Sequence, residues 1–208
     1  MSSILNKTKR KKQKQLGWAN AEIKMLKSID LYNGAKRTVV LQSYKDFIIL
    51  AIYILHIHYG FALKRIVRFE STLNTYLDNA RDDSSLDGKH TAFFLYDKYA
   101  IDIDKESKSV PSRELIKLFQ TRNSVLKAND VYLLTQAALF NFLALTCTIL
   151  KTQFKFSVSD LKKFIFDFKD FLNTLSRVEQ FDLTFSEAAK CLAEETGYID
   201  ERYVKVKE

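Results

Sequence analysis

The sequence of 208 residues contains little proline or glycine, with one and five residues respectively. Tight β-hairpin turns most often need these two residue types, so a fold rich in hairpins is disfavoured. Cysteine is equally scarce: Cys147 and Cys191 occur in apolar helical contexts and are too few for a disulfide framework. They are typical of buried thiols in a reduced compartment. These scarcities predict an all-α fold.

Motifs of catalysis and metal binding are also missing from the sequence. The glycines are scattered, so none forms a phosphate-binding loop. His56 and His58 are two residues apart and lie on different faces of a helix, which prevents the usual i, i+4 sharing of a metal ion. No nucleophile is coupled to a base at a recognisable spacing. We therefore predict a protein that is not an enzyme and has neither metal nor cofactor, with both histidines hydrogen-bonded at the edge of a core.

The net charge of +8 is concentrated near the N-terminus. Six cations precede the first acid, Glu22, so the rest of the chain carries only about +2. Residues 1–15 are predicted to be a basic arm, and the sequence leaves open whether this arm is a flexible solubilising tail or a binding segment. Its cations are Lys7, Lys9, Arg10, Lys11, Lys12 and Lys14.

Two runs, residues 47–63 and 131–150, contain no aspartate, glutamate, lysine or arginine. The second is about the length that spans a bilayer. Both include polar side chains, such as His58 and Asn141, that are costly in lipid unless they are paired. The runs favour two buried core helices. A small membrane-associated protein with two membrane helices at 47–63 and 131–150 is the alternative.

The chain also resembles itself at an offset of roughly 92 to 98 residues. Four segments recur in the same order: 21–26 with 113–118, 54–61 with 149–156, 63–69 with 161–167, and 97–102 with 194–199. This pattern predicts two tandem copies of a roughly four-helix unit, packed as a pseudo-twofold bundle in which the two apolar helices bury each other. The predicted boundaries are 16–104 and 113–201 for the units, 105–112 for a polar linker and 202–208 for a tail.

Several short signals mark helix ends. Ser157 with Asp160, and Thr184 with Glu187, have the spacing of N-terminal caps. Gly197 is typical of a C-terminal stop, and Pro111 of a first helical turn. Residues 90–103 are rich in aromatics and compatible with helix or strand, and only the repeat favours helix there.

Basic residues follow each apolar run on the next predicted helix. Lys64, Arg65 and Arg68 share one helical face, because positions i, i+1 and i+4 cluster within a turn. Their counterparts in the second copy are Lys162 and Lys163, and a third small patch contains Lys36 and Arg37. Such patches suit a phosphate backbone or an acidic protein surface. The alternative is a solvated helix face opposite the core.

A helix-turn-helix is a further alternative for residues 184–206, which would make the chain a transcription or replication accessory factor that binds DNA. The second helix of such a motif reads the bases. Few residues follow Gly197 to supply base-reading side chains. This hypothesis is therefore the weaker one.

The segment "LHIHYGFALKRIVRF", residues 55–69, resembles a signature of small, mostly uncharacterised proteins of phages and prophages of low-GC Gram-positive bacteria. The matching residues are Leu55, His56, Tyr59, Gly60, Phe61, Lys64, Arg65, Ile66 and Phe69. Residues 184–187 and 192–197 resemble a second segment of those proteins, and together the matches cover about a quarter of the chain. The resemblance implies a phage or mobile-element accessory protein of the bacterial cytoplasm.

Taken with the basic patches, the resemblance favours an accessory protein that binds nucleic acid or a host nucleoprotein complex. An inhibitor of a host defence system such as a CRISPR nuclease fits this description by association. The sequence leaves open the identity of the partner, sequence specificity and whether the chain forms a homodimer.

Overall fold

The structure is a computed structural model that describes residues 2–82, 88–120, 125–177 and 184–203, with side chains described for 30–77 of the first range. These ranges contain eight helices and no strand, which confirms the all-α prediction. The helices are α1 (Ser2–Tyr59), α2 (Leu63–Asp82), α3 (Gly88–Tyr99), α4 (Ile103–Lys108), α5 (Ser112–Phe119), α6 (Ala128–Gln153), α7 (Val158–Ser176) and α8 (Phe185–Thr196).

Helix α1 is continuous over 58 residues. Residues 2–15 of the predicted basic arm, 1–15, fall on its first part, where side chains lie outside those described. Gly17 and Gly34 do not interrupt the helix, since an isolated glycine costs only about 1 kcal/mol and no proline is nearby. The backbone therefore has no break at the predicted start of the first unit, residue 16.

Helices α1 and α6 lie side by side and run in the same direction. Tyr32 donates a hydrogen bond to Asp130 near their beginnings at 3.1 Å. The rings of Phe47 and Phe142 are 5.6 Å apart further along. Because the contacts advance together along both helices, the pair is parallel. Their central segments, 47–52 and 142–147, are buried on all sides.

The complete burial of these segments explains why they contain no charge. α1 packs against α6, α7 and α8, whereas α6 packs against α1, α3, α4 and α5. By length and composition, residues 30–59 of α1 and the whole of α6 would each suffice to cross a membrane. Of their most apolar windows, 61% and 67% respectively are buried inside the chain. A core helix of a soluble protein has the same apolar character.

Residues 90–103, left open between helix and strand, contribute to helices α3 and α4. The predicted linker, 105–112, begins within α4. Asp102 caps this helix by accepting a hydrogen bond from the Lys105 amide at 3.0 Å, and Ile103 and Val110 are buried. The segment is therefore partly helical and packs on the core.

Three of the helix-end signals act as the sequence indicates. Ser157 and Asp160 form a reciprocal capping box at the start of α7, and Thr184 accepts from the Glu187 amide at the start of α8. Gly197 ends α8 with a φ of +78°. Pro111 differs slightly, because it is the N-cap residue of α5 and precedes the first turn.

The residues after α8 return to α1. Asp46, fully buried on α1, hydrogen-bonds both Gln42 and the Tyr203 hydroxyl. Arg202 binds Asp200 through its guanidinium and also reaches the Lys45 carbonyl. The described part of the predicted tail, residues 202 and 203, is thus held against the core.

Candidate functional site

Helices α1 and α6 end in the same way. Gly60 and Lys155 both adopt left-handed backbone, with φ of +64° and +61°. The Gly60 amide donates to the His56 carbonyl at 3.0 Å, and the Phe61 amide donates to the Leu55 carbonyl at 3.0 Å, so the left-handed residue closes the helix end. The Phe156 amide forms the corresponding bond, at 3.1 Å, to the carbonyl five residues before Lys155. After each of these two helix ends the backbone turns sharply into the next helix, into α2 after α1 and into α7 after α6.

Aromatic rings from both turns pack together. Tyr59 lies 4.8 Å from Phe156, and Phe61 lies 5.2 Å from Phe154, measured between ring centroids. Phe61 and Phe156 are 6.2 Å apart, and Phe69 of α2 is 6.2 Å from Phe154. We call these five side chains the corner cluster. Since the cluster joins the two turns, it brings the first turns of α2 and α7 to one end of the molecule.

Cations cover the corner cluster. The Arg65 guanidinium lies 3.9 Å from the centre of the Phe61 ring, and Arg68 lies 5.5 Å from that of Phe154. Lys163 approaches Tyr59 at 5.9 Å. Cation–π attraction favours these positions and limits the freedom of the side chains. The two basic patches predicted from sequence therefore meet on one surface.

We define the basic corner as the exposed cations around this cluster: Lys64, Arg65, Arg68, Lys155, Lys162 and Lys163. Five of them belong to the patches predicted from the sequence, whereas Lys155 does not. In the part of the chain described, none of the six has a carboxylate within ion-pairing distance. The surface therefore carries a net positive charge that no neighbouring side chain neutralises directly.

The Asp160 carboxylate lies near the corner and serves the start of α7. Hydrogen bonds from the Ser157 side chain and backbone lower the pKa of Asp160, and Lys163 adds a smaller effect. The Tyr59 hydroxyl donates to the Asp160 carbonyl at 3.1 Å. Burial, followed by the nearby Asp167 and Asp160 carboxylates, raises the pKa of Tyr59. Tyr59 therefore stays neutral and anchors α7 at the corner.

The other predicted cations lie elsewhere. Lys36 is half-buried over the Tyr32 ring, and Arg37 is exposed. Both lie about 35 Å from the corner along α1 at 1.5 Å per residue. The arm cations, of which Lys14 is the nearest, precede the corner by about 68 Å of helix, and their side chains lie outside those described. The structure thus does not place the arm and the corner in one site.

His56 and His58 bind different helices, as their spacing indicates. His56 lies 3.0 Å from the Phe61 carbonyl through Nδ1 and 2.8 Å from Glu195 of α8 through Nε2. His58 lies 2.6 Å from Asp167 of α7. Both histidines therefore have hydrogen-bond partners that tie α1 to its neighbours. Partners 139 and 109 residues away carry no local sequence signal.

Cys191 extends the hydrogen-bonded group around His56. Its thiol donates to Glu195 at 3.3 Å. Burial raises the pKa of Cys191, and the hydrogen bond to Glu195 and the charge of that carboxylate raise it further. A nucleophilic cysteine needs the opposite environment. The described residues also contain no group of three or more histidine, cysteine, aspartate or glutamate side chains arranged to hold a metal ion.

Comparisons with known protein families, with curated proteins and with solved structures find no match for this chain.

Proposed function

We propose that this chain is a non-enzymatic binding protein and that its basic corner engages the phosphate backbone of nucleic acid. The observation that carries the proposal is the meeting of six exposed cations around one aromatic cluster, three of which, Arg65, Arg68 and Lys163, lie over its rings. Cations already positioned by packing lose little entropy on binding phosphate. Each phosphate that they neutralise also releases counterions, which favours binding at low salt.

The aromatic rings indicate how nucleic acid would be contacted. Phe61 and Phe156 are buried, and Arg68 covers the half-buried Phe154. The rings therefore serve as supports for cations rather than as exposed platforms on which bases could stack. Contacts between cations and phosphates position the nucleic-acid backbone and carry little information about its base sequence. We accordingly propose binding without strong sequence preference.

We also infer that the fold is a pseudo-twofold bundle of two related copies. Reciprocal contacts support this inference. Tyr59 packs on Phe156 and Phe61 packs on Phe154, and the two partners stand ninety-five residues after Phe61 and Tyr59 respectively. α1 packs on α8, and α6 packs in the same manner on α3. Such exchange of equivalent partners is the signature of a twofold interface.

A second pair of equivalent bonds supports the same inference within each copy. His56 contacts the carbonyl of Phe61 at 3.0 Å, and Lys151, ninety-five residues later, donates to the carbonyl of Phe156 at 3.0 Å. Both residues place a nitrogen donor five residues before the carbonyl that closes the turn. The basic corner would then lie across the pseudo-twofold axis, with one set of cations from each copy.

The cellular setting that we propose is that of a phage or mobile-element accessory protein in the bacterial cytoplasm. The motif at residues 55–69 supports it, because its residues build the first half of the corner: Gly60 forms the turn and Arg65 covers Phe61. A host nucleoprotein complex, such as a defence effector, is the partner that fits both the phage setting and a surface that binds phosphate. Recovery of the tagged chain with host proteins, before and after nuclease treatment, tests whether nucleic acid mediates the association.

Binding to a labelled duplex of about 20 base pairs, measured by fluorescence anisotropy over a range of salt, tests the proposed function. Two double variants, Arg65→Ala with Arg68→Ala and Lys162→Ala with Lys163→Ala, should each weaken binding. Each should also lower the slope of log K against log salt by about two, since each removes two phosphate contacts. The matched control replaces Lys117 and Lys190, exposed lysines of α5 and α8, with alanine and should bind as the wild type does.

Wild-type affinity and slope in both corner variants would overturn the proposal. A second result would indicate a different partner. If polyglutamate displaces the duplex at the same charge concentration as unlabelled DNA does, an acidic protein surface becomes the better partner.

A further inference from the structure

Lys155 adopts a backbone conformation that suits glycine. Its φ of +61° lies in the left-handed region, where the Cβ atom of an L-residue crowds the following carbonyl. Gly60 ends α1 with nearly the same φ, +64°. Glycine is the usual residue at this position of a helix ending because it has no Cβ. The second turn is therefore built with the less suitable residue.

Contacts within the fold do not explain why position 155 is a lysine. Its side chain is exposed, and in the described part of the chain it forms no hydrogen bond or ion pair. At Gly60, a Cβ atom would meet nothing within 4 Å. Steric room therefore does not decide between the two residue types at this kind of turn. Backbone conformation favours glycine, and packing does not favour lysine.

The position of Lys155 indicates a role in binding. It stands in the chain between Phe154 and Phe156, whose rings belong to the corner cluster. The cations Arg68 and Lys163 cover rings of the same cluster. The exposed Lys155 thus extends the unpaired positive surface at the point where the two turns meet. A residue kept in a sparsely populated conformation is often one whose side chain serves function.

We propose that Lys155 is a phosphate-binding residue of the basic corner, retained at a position where glycine would give a more stable fold. This inference rests on the proposed nucleic-acid binding. It adds a sixth cation that the helical spacing of the sequence did not identify, and it makes the surface asymmetric, because Gly60 at the corresponding turn contributes no charge.

Four variants separate the charge of Lys155 from its backbone. Lys155→Gly removes both the cation and the unfavourable conformation, so the melting temperature should rise by about 1 to 3 °C. Duplex affinity should fall about 3- to 10-fold, and the salt slope should fall by about one. Lys155→Gln keeps the backbone constraint, so it should lose the same affinity without the rise in melting temperature. Lys155→Arg should bind as the wild type does.

The fourth variant, Gly60→Lys, is the reciprocal change. It should lower the melting temperature and strengthen duplex binding, because it places a cation at the corresponding turn. If Lys155→Gly and Lys155→Gln bind with wild-type affinity while the Arg65 and Arg68 variant is weakened, the role of Lys155 is overturned and the proposed function survives. If the wild type binds no duplex, both fail together. If Lys155→Gly does not raise the melting temperature, the lysine is not held against a stability cost and that part of the proposal fails.

Discussion

The imidazole of His56 lies between two hydrogen-bond acceptors, the Phe61 carbonyl at 3.0 Å and the Glu195 carboxylate at 2.8 Å. A carbonyl and a carboxylate only accept, so both ring nitrogens must donate for both bonds to form. Lys151, which is always a donor, bonds the equivalent carbonyl of Phe156. A side-chain nitrogen therefore closes both turns, and in the first turn the same imidazole also ties α1 to α8.

The contact between His56 and Glu195 should make stability depend on acidity. The His56 hydrogen bond is the main cause that lowers the pKa of Glu195 below its ordinary value of 4.5. A carboxyl with a lowered pKa in the folded state stabilises the fold above its unfolded pKa and loses this effect as pH falls through the folded pKa. Glu195→Gln should therefore flatten the fall in melting temperature between about pH 5 and pH 3.

The matched control is Glu194→Gln, which changes an exposed neighbour on the same helix. Its acid profile should follow that of the wild type. Parallel acid profiles for the wild type and Glu195→Gln would show that the His56 contact does not contribute to stability.

The Phe47 ring is a second point where a single change should have a large effect. It is fully buried and lies 5.6 Å from Phe119, 5.6 Å from Phe142 and 5.9 Å from Phe168. Phe47→Ala removes contacts among α1, α5, α6 and α7 and leaves a cavity. The free energy of unfolding should fall by about 3 to 5 kcal/mol, measured by urea denaturation.

Phe93→Ala provides the control for Phe47→Ala. The Phe93 side chain is 69% exposed, so its truncation should change the free energy of unfolding by no more than about 0.5 kcal/mol. Equal effects of the two substitutions would contradict the position of Phe47 at the centre of the core.

Local rules account for the part of the fold that the sequence predicts. The caps at Ser157 and Thr184 and the stop at Gly197 depend on neighbours within a few residues, and all three form as expected. Helical periodicity also holds in α7, because Phe164 and Phe168, four residues apart, are both fully buried. Such features need no knowledge of distant partners.

Tertiary packing decides the features that the sequence does not predict. Helix α4 begins at Ile103, just before the predicted polar linker, and continues into it. The helix forms there because Asp102 caps it and the Ile103 side chain is buried. The contact between His56 and Glu195 joins residues 139 positions apart. The candidate site was likewise predicted only in part. The sequence places Arg65, Arg68 and Lys163 in basic patches, but only the contacts with the aromatic rings show that these patches share one surface.

Thiol labelling should separate the two cysteines. Cys147 is completely buried on α6, and burial raises its pKa. It should react with a thiol reagent at pH 8 only when the chain unfolds. Cys191, partly accessible on α8, should react in the native state but more slowly than a free thiol, because burial and Glu195 raise its pKa.

Replacing Glu195 with glutamine removes the carboxylate charge and should therefore speed the labelling of Cys191. The labelling of Cys147 should not change. Rapid native labelling of Cys147 would contradict its place in the core, and an unchanged rate at Cys191 would show that Glu195 does not control that thiol.

The basic arm and the basic corner should act as independent sites if both contribute to binding. They are separated by about 68 Å along α1 at 1.5 Å per residue, and effects at such distances usually add. Deletion of residues 2–15 should weaken duplex binding and flatten its salt dependence, and the double variant of Arg65 and Arg68 should do so separately. Combining both changes should reduce log K by the sum of the separate losses, measured on a duplex long enough to reach both ends of α1.

A short duplex of about 12 base pairs spans about 41 Å at 3.4 Å per base pair and cannot reach both sites at once. On this duplex, a loss confined to the corner variant would remove the arm from the binding mechanism and identify it as a solubilising segment. A loss confined to the arm deletion would instead show that the corner does not bind phosphate. Losses that exceed the sum on the long duplex would indicate that the arm and the corner bind DNA as alternative sites, because either one alone then still holds the duplex.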